Sequence, residues 1–272
     1  MLGKLMKYEI KATSRTFMPL YLVLMVLSLI NRFSFPLSGP GAYRFPRALL
    51  SALFTIILIS LFITTLIVMI SRFYKNLLSD EGYLMFTLPV KAWHHIVSKL
   101  IVSLMWIIIS MIVSLMSIYI ITSAEISFSE IIDGAKLLWD EAYVYWGPEI
   151  YLIAAETFIA FVLGICTSVL MIYASIALGH LSARHKVLAS FGAFLLLNTI
   201  SRIASSATSS LIGINRSSSS FTLTFFIGYT EVPPTDLILH NAMLRSIAIS
   251  LIFSALYFAI ANTILTKRLN LE

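Results

Sequence analysis

The sequence predicts an all-α integral membrane protein with six transmembrane helices, an N-terminal amphipathic interfacial helix and a re-entrant outer element before the last span. The 272 residues have a mean hydropathy of +0.93, and only 12% are charged, which excludes a soluble domain. A helix needs about 20 largely apolar residues to cross roughly 30 Å of hydrocarbon. Six runs with at most one charged residue each approach or exceed that length: residues 17–31, 48–71, 98–123, 150–178, 187–212 and 244–266. We treat residues 1–272 as one transmembrane domain.

Residues 1–16 are basic and amphipathic. On a helical wheel, four basic residues share one face: Lys4, Lys7, Lys11 and Arg15. Four apolar residues share the other: Leu2, Leu5, Met6 and Ile10. This pattern predicts a helix in the membrane interface. Glu9 interrupts the apolar face, so its carboxylate either contacts a protein partner or reaches back to the aqueous surface.

The distribution of basic residues predicts that both termini are cytoplasmic. This orientation places 12 of the 19 lysines and arginines on the inner side, as the positive-inside rule requires. The first outer loop, residues 32–47, is basic and runs against the rule. The positive charges are dispersed over short loops beside apolar spans, which favours contact with the lipid bilayer and argues against a nucleic-acid partner.

Two segments on the predicted outer side differ in composition from the spans. Residues 125–148 mix acidic residues with aromatic ones, which predicts an acidic amphipathic helix at the outer interface. Residues 213–242 contain an apolar stretch of only eight residues, 221–228, which is too short to cross the membrane. We therefore predict an outer loop there with a piece that dips into the membrane.

The connection between the second and third spans, residues 74–95, is a cytoplasmic loop with an apolar cluster. The cluster comprises Tyr83, Leu84, Met85, Phe86 and Leu88. Exposed apolar clusters usually mark a surface that contacts a membrane or another protein. The loop is either an interfacial segment or a docking element for a soluble partner.

The stretch Lys75-Asn-Leu-Leu-Ser-Asp-Glu-Gly-Tyr-Leu-Met-Phe-Thr-Leu-Pro89, with the basic start and the six spans, resembles bacterial ABC transporter permeases of the type-2 exporter family. The resemblance implies that residues 1–16 are an elbow helix and that residues 80–89 belong to a coupling helix docked on a cytoplasmic ATPase. It also implies a second permease, identical or related, and a re-entrant outer element. The residues that we expect at the ATPase are Asp80, Glu81, Gly82, Tyr83, Phe86 and Pro89.

The sequence contains no Gly-x-x-x-x-Gly-Lys-Ser/Thr loop to hold nucleotide phosphates, so ATP and Mg²⁺ would be bound by the partner ATPase. We expect no enzymatic site, metal or cofactor in this chain. The resemblance implies export of a hydrophobic or amphipathic compound, such as a drug or an antimicrobial peptide. The alternative is a membrane sensor or immunity protein that binds a peptide without transporting it.

Charged residues within the spans are candidates for a translocation path or a buried pair. Asn198 and Arg202 share a face of the fifth span, and an embedded arginine is costly unless it meets water or a carboxylate. Glu156 in the fourth span is the carboxylate that we predict at a similar depth. A pair of Glu156 with Arg202 would either contact cargo or lock two helices together.

Overall fold

The computed structural model describes residues 2–34, 44–78, 91–123, 126–182, 184–211 and 236–267. These ranges are helical apart from short turns and contain no strand. Their helices are α1 (Leu2–Ser34), α2 (Arg44–Leu78), α3 (Ala92–Thr122), α4 (Phe128–Trp146), α5 (Ile150–His180), α6 (Lys186–Leu211) and α7 (Asp236–Lys267). A 3-10 turn, Gly147–Glu149, joins α4 to α5. Six helical segments, one of them running from α4 through α5, are long and apolar enough to cross a membrane, so the predicted all-α fold with six helices able to span a membrane is confirmed.

Most helices extend beyond the spans predicted for them. The second span was predicted at residues 48–71, whereas α2 covers Arg44–Leu78. The last was predicted from residue 244, whereas α7 begins at Asp236, so residues 236–242 are helical and not loop. Hydropathy detects the stretch that suits lipid, whereas backbone hydrogen bonds continue a helix into the polar boundary. The proposed re-entrant piece at residues 221–228 lies outside the described residues.

The N-terminal segment and the first span form one continuous helix, α1, with Pro19 inside it. The basic face at residues 4, 7, 11 and 15 is exposed, as the helical wheel indicates. Met6 and Ile10 pack against the core of the first three helices. No separate helix in the interface occurs within residues 2–34, and the elbow role stays a prediction.

The chain forms two compact units, Met1–Asp140 and Glu141–Glu272. In the first, α1 packs against α3 and α2. The rings of Phe17 on α1 and Trp106 on α3 stack with centroids 4.5 Å apart, and aromatic pairs of this kind add to the energy of area burial. Side-chain hydrogen bonds join the start of α1 to the start of α3 and to the end of α2. Helices α1 and α3 are therefore parallel, and α2 is antiparallel to both.

In the second unit, α5 packs against both α6 and α7. The hydroxyls of Thr167 on α5 and Ser254 on α7 share a hydrogen bond of 2.7 Å. Helices α5 and α6 approach closely at Gly179, where a Cβ would overlap the side chain and backbone of Ser190. Small residues permit such close approaches between membrane helices.

Helix α4 has no buried residue. The backbone N–H of Ser127 donates to Glu130 Oε2 at 3.1 Å, which is half of a capping box and accounts for the start of the helix. The predicted helix is therefore present, while its place at the outer interface stays a prediction.

We expect Gly179→Ala to destabilise the second unit, because the added methyl forces α5 away from the Ser190 backbone. Overpacking of this kind costs about 1–3 kcal/mol, and a lower midpoint of thermal unfolding in detergent would measure it. Gly164→Ala on the same helix is the matched control, since a Cβ there has no neighbour within 4 Å, and it should leave the midpoint unchanged or raise it. Equal midpoints for the two variants would contradict the close approach.

Candidate functional site

The six residues predicted at the ATPase lie within 79–90, outside the described residues. They are Asp80, Glu81, Gly82, Tyr83, Phe86 and Pro89. The structure does describe the two helices that this loop joins. Helix α2 ends at Leu78, and α3 begins at Ala92.

A buried polar cluster, here called the Glu9 cluster, ties these two helices to α1. It comprises Glu9 of α1, Asn76 of α2 and Lys99 of α3. The Glu9 carboxylate forms an ion pair with Lys99, and Asn76 Nδ2 donates to Glu9 Oε1 at 3.2 Å. The Lys99 side chain is 4% exposed and that of Glu9 is 11% exposed. Glu9 therefore contacts the protein, which decides between the two interpretations left open by the sequence.

The Glu9 cluster lies near the end of α2 and the start of α3, the two helices that flank residues 79–90 in the sequence. Asn76 is in the last turn of α2, and Lys99 is about two turns into α3. Breaking a buried ion pair is costly because it leaves one charge uncompensated in a region of low dielectric constant. The end of α2 and the start of α3 are thus held to the same carboxylate of α1.

Further hydrogen bonds continue along the first unit from the Glu9 cluster. Trp106 Nε1 donates to Thr13 Oγ1 at 2.7 Å. Tyr21 and Ser110 share a hydrogen bond of 2.8 Å between their hydroxyls. At the far end, Asn31 Nδ2 donates to the backbone oxygen of Leu50 at 3.1 Å. These contacts fix the axial register of α1 against its two neighbours.

In the second unit, Glu156 is paired with a residue other than the predicted one. Its Oε1 lies 2.7 Å from Nδ1 of His240 on α7. Arg202 is exposed, and its Nε donates to Asn198 Oδ1 at 3.1 Å. The predicted pair of Glu156 with Arg202 is therefore not formed in this chain, although the predicted face shared by Asn198 and Arg202 is present.

The error in the predicted pair is one of depth. Helices α5 and α6 are antiparallel and meet at Gly179 and Ser190. Arg202 lies 12 residues beyond Ser190, whereas Glu156 lies 23 residues before Gly179. The mismatch of 11 residues corresponds to about 16 Å along the helix axes. His240 was missed because its region was predicted to be loop.

No group of three or more His, Cys, Asp or Glu residues that could hold a metal ion occurs in the described part of the chain.

Comparisons of the chain with family models, curated proteins and solved structures find no match.

We expect Glu9→Gln to lower the stability of the first unit strongly, because it removes the carboxylate charge from the buried ion pair with Lys99. The cost of breaking a buried pair is about 3–5 kcal/mol, measurable as a lower midpoint of thermal unfolding in detergent. The double variant Glu9→Gln, Lys99→Met removes both charges and should recover part of this loss. Asp133→Asn is the control, because Asp133 and Lys136 form an exposed pair that contributes little. A Glu9→Gln midpoint equal to that of Asp133→Asn would show that the Glu9 cluster contributes nothing to stability.

Proposed function

We propose that this chain is the permease subunit of an ATP-driven ABC exporter for a hydrophobic or amphipathic compound, such as a drug or an antimicrobial peptide. Cytoplasmic ATPase subunits bind ATP and Mg²⁺, and a second permease, identical or related, completes the translocation path. The chain is oriented with both termini in the cytoplasm of a bacterial cell. The sequence resemblance at residues 75–89 suggests this class.

The Glu9 cluster supports the proposal because it joins the two helices that flank residues 79–90 in the sequence. A loop that receives force from an ATPase needs a rigid connection to the spanning helices. The buried pair of Glu9 with Lys99, and the bond from Asn76, supply such a connection to three helices. Displacement of the loop would then move α1, α2 and α3 together, because separating the buried charges is costly.

Helix α4 supports a rival function, that of a membrane sensor or immunity protein that binds a cationic peptide without moving it. The helix has no buried residue, and its acidic side chains are exposed, including Glu130, Asp133, Asp140 and Glu141. This surface suits attraction of a basic peptide. The rival does not require force to pass through residues 79–90.

The two functions are separated by the Tyr83→Ala, Phe86→Ala double variant. The chain is tagged, expressed with its genomic neighbours and purified in mild detergent. We expect an ATPase to co-purify with the wild type, and we expect its recovery and its stimulated ATP hydrolysis to fall at least tenfold in the double variant, because the apolar contacts that dock the loop are removed.

The matched control removes the same two residue types elsewhere, as Phe128→Ala, Tyr143→Ala on the exposed helix α4, and should retain the ATPase. A wild-type chain that purifies without an ATPase would favour the sensor. An ATPase recovered equally from both double variants would contradict docking at residues 79–90.

A further inference from the structure

Glu156 has a second carboxylate oxygen with no partner among the described residues. The residue is 8% exposed and lies in the second turn of α5. Its Oε1 lies 2.7 Å from His240 Nδ1, without the alignment of a hydrogen bond. Its Oε2 is buried and has no hydrogen-bond donor in the described part of the chain.

A buried acceptor without a donor is costly, and the hydrocarbon chains of lipids do not supply one. Two arginines of the second unit, Arg202 and Arg245, are poorly placed to do so. Arg202 lies about 16 Å deeper by the register of α5 and α6. Arg245 follows His240 by five residues and is therefore rotated from it by roughly 140° around α7. Among the described residues the carboxylate thus has an acceptor oxygen without a donor.

The surroundings of Glu156 suit a ligand with one polar end and an apolar body. The His240 side chain is 37% exposed, so the pair can be approached past it. Leu152 and Ile159 lie one turn before and after Glu156 on α5 and are 50% and 48% exposed. Leu244 lies one turn beyond His240 on α7 and is 46% exposed. Apolar side chains one turn apart line the same face of a helix.

We propose that Glu156 binds the primary ammonium group of an amphipathic ligand. An N–H of the ammonium donates to Oε2, while Oε1 remains paired with His240. The apolar body lies along Leu152, Ile159 and Leu244. The same chemistry is carried by a free amphipathic amine and by the headgroup of phosphatidylethanolamine. Only the identification of the ligand as cargo rests on the proposed export function.

The test uses the full chain in nanodiscs of phosphatidylcholine, which has no primary ammonium group. Binding of dodecylammonium is measured by calorimetry for the wild type, Glu156→Gln and the matched control Glu149→Gln, an exposed carboxylate just before α5. We expect affinity to fall at least tenfold in Glu156→Gln and to be unchanged in Glu149→Gln. Equal affinities for the wild type and Glu156→Gln would overturn the inference.

A comparison of two ligands in the wild type needs no variant and so does not depend on how Glu156→Gln folds. Dodecyltrimethylammonium carries the same charge and chain but no N–H, and we expect it to bind several-fold more weakly than dodecylammonium. Equal binding of the two would overturn the assignment of Oε2 as a hydrogen-bond acceptor.

Phosphatidylethanolamine added to the nanodiscs distinguishes the two sources of the ammonium group. Competition with dodecylammonium in the wild type identifies the lipid headgroup as an occupant of the site. Dodecylammonium binding that is unaffected by the lipid identifies a free amine. None of these measurements involves an ATPase, so failure of this inference and failure of the export proposal are distinguishable.

Discussion

The ion pair between Glu9 and Lys99 is the interaction on which the arrangement of the first unit depends. Apolar side chains pack about as well against lipid as against each other, so apolar contact alone gives membrane helices little preference for one axial position. A buried carboxylate and a buried ammonium do have such a preference, because each is costly without the other. The pair, with Asn76, therefore aligns α1, α2 and α3, and the bonds of Trp106 and Tyr21 follow in the same register.

The second unit has a similar arrangement of helices and of one buried glutamate, with one difference. Its first and third helices, α5 and α7, are also parallel, and a glutamate near the start of the first again meets a basic residue near the start of the third. In the first unit the middle helix adds a donor, Asn76. In the second unit no donor from α6 reaches Glu156 among the described residues, and Oε2 remains available. The pair of Glu9 with Lys99 therefore holds its helices in register, whereas the pair of Glu156 with His240 leaves one acceptor oxygen for a ligand.

Hydropathy predicted the six spans because it reports which stretches suit lipid, and that property belongs to each helix separately. Contacts between helices depend on axial register, which hydropathy does not report. The predicted pair of Glu156 with Arg202 failed for this reason, by 11 residues of register. The Glu9 carboxylate did leave a signal, since it stands on the apolar face of its helix. Its partner Lys99, at the start of an apolar run, could have been proposed on charge alone. The change from a basic to an apolar segment after residue 16 was interpreted as a boundary between two helices. Basic residues on an exposed face do not end a helix, so α1 continues through this point.

Under the proposed function, one part of the permease responds to the ATPase and another holds the cargo, and the two kinds of polar contact suit these separate tasks. A charge pair that is fully satisfied by the protein gains nothing from a ligand, so the Glu9 cluster is suited to carrying force. A carboxylate with one unsatisfied oxygen is stabilised by any suitable donor, so Glu156 is suited to binding. The same residue type thus has opposite uses, according to whether the middle helix of its unit completes the hydrogen bonding.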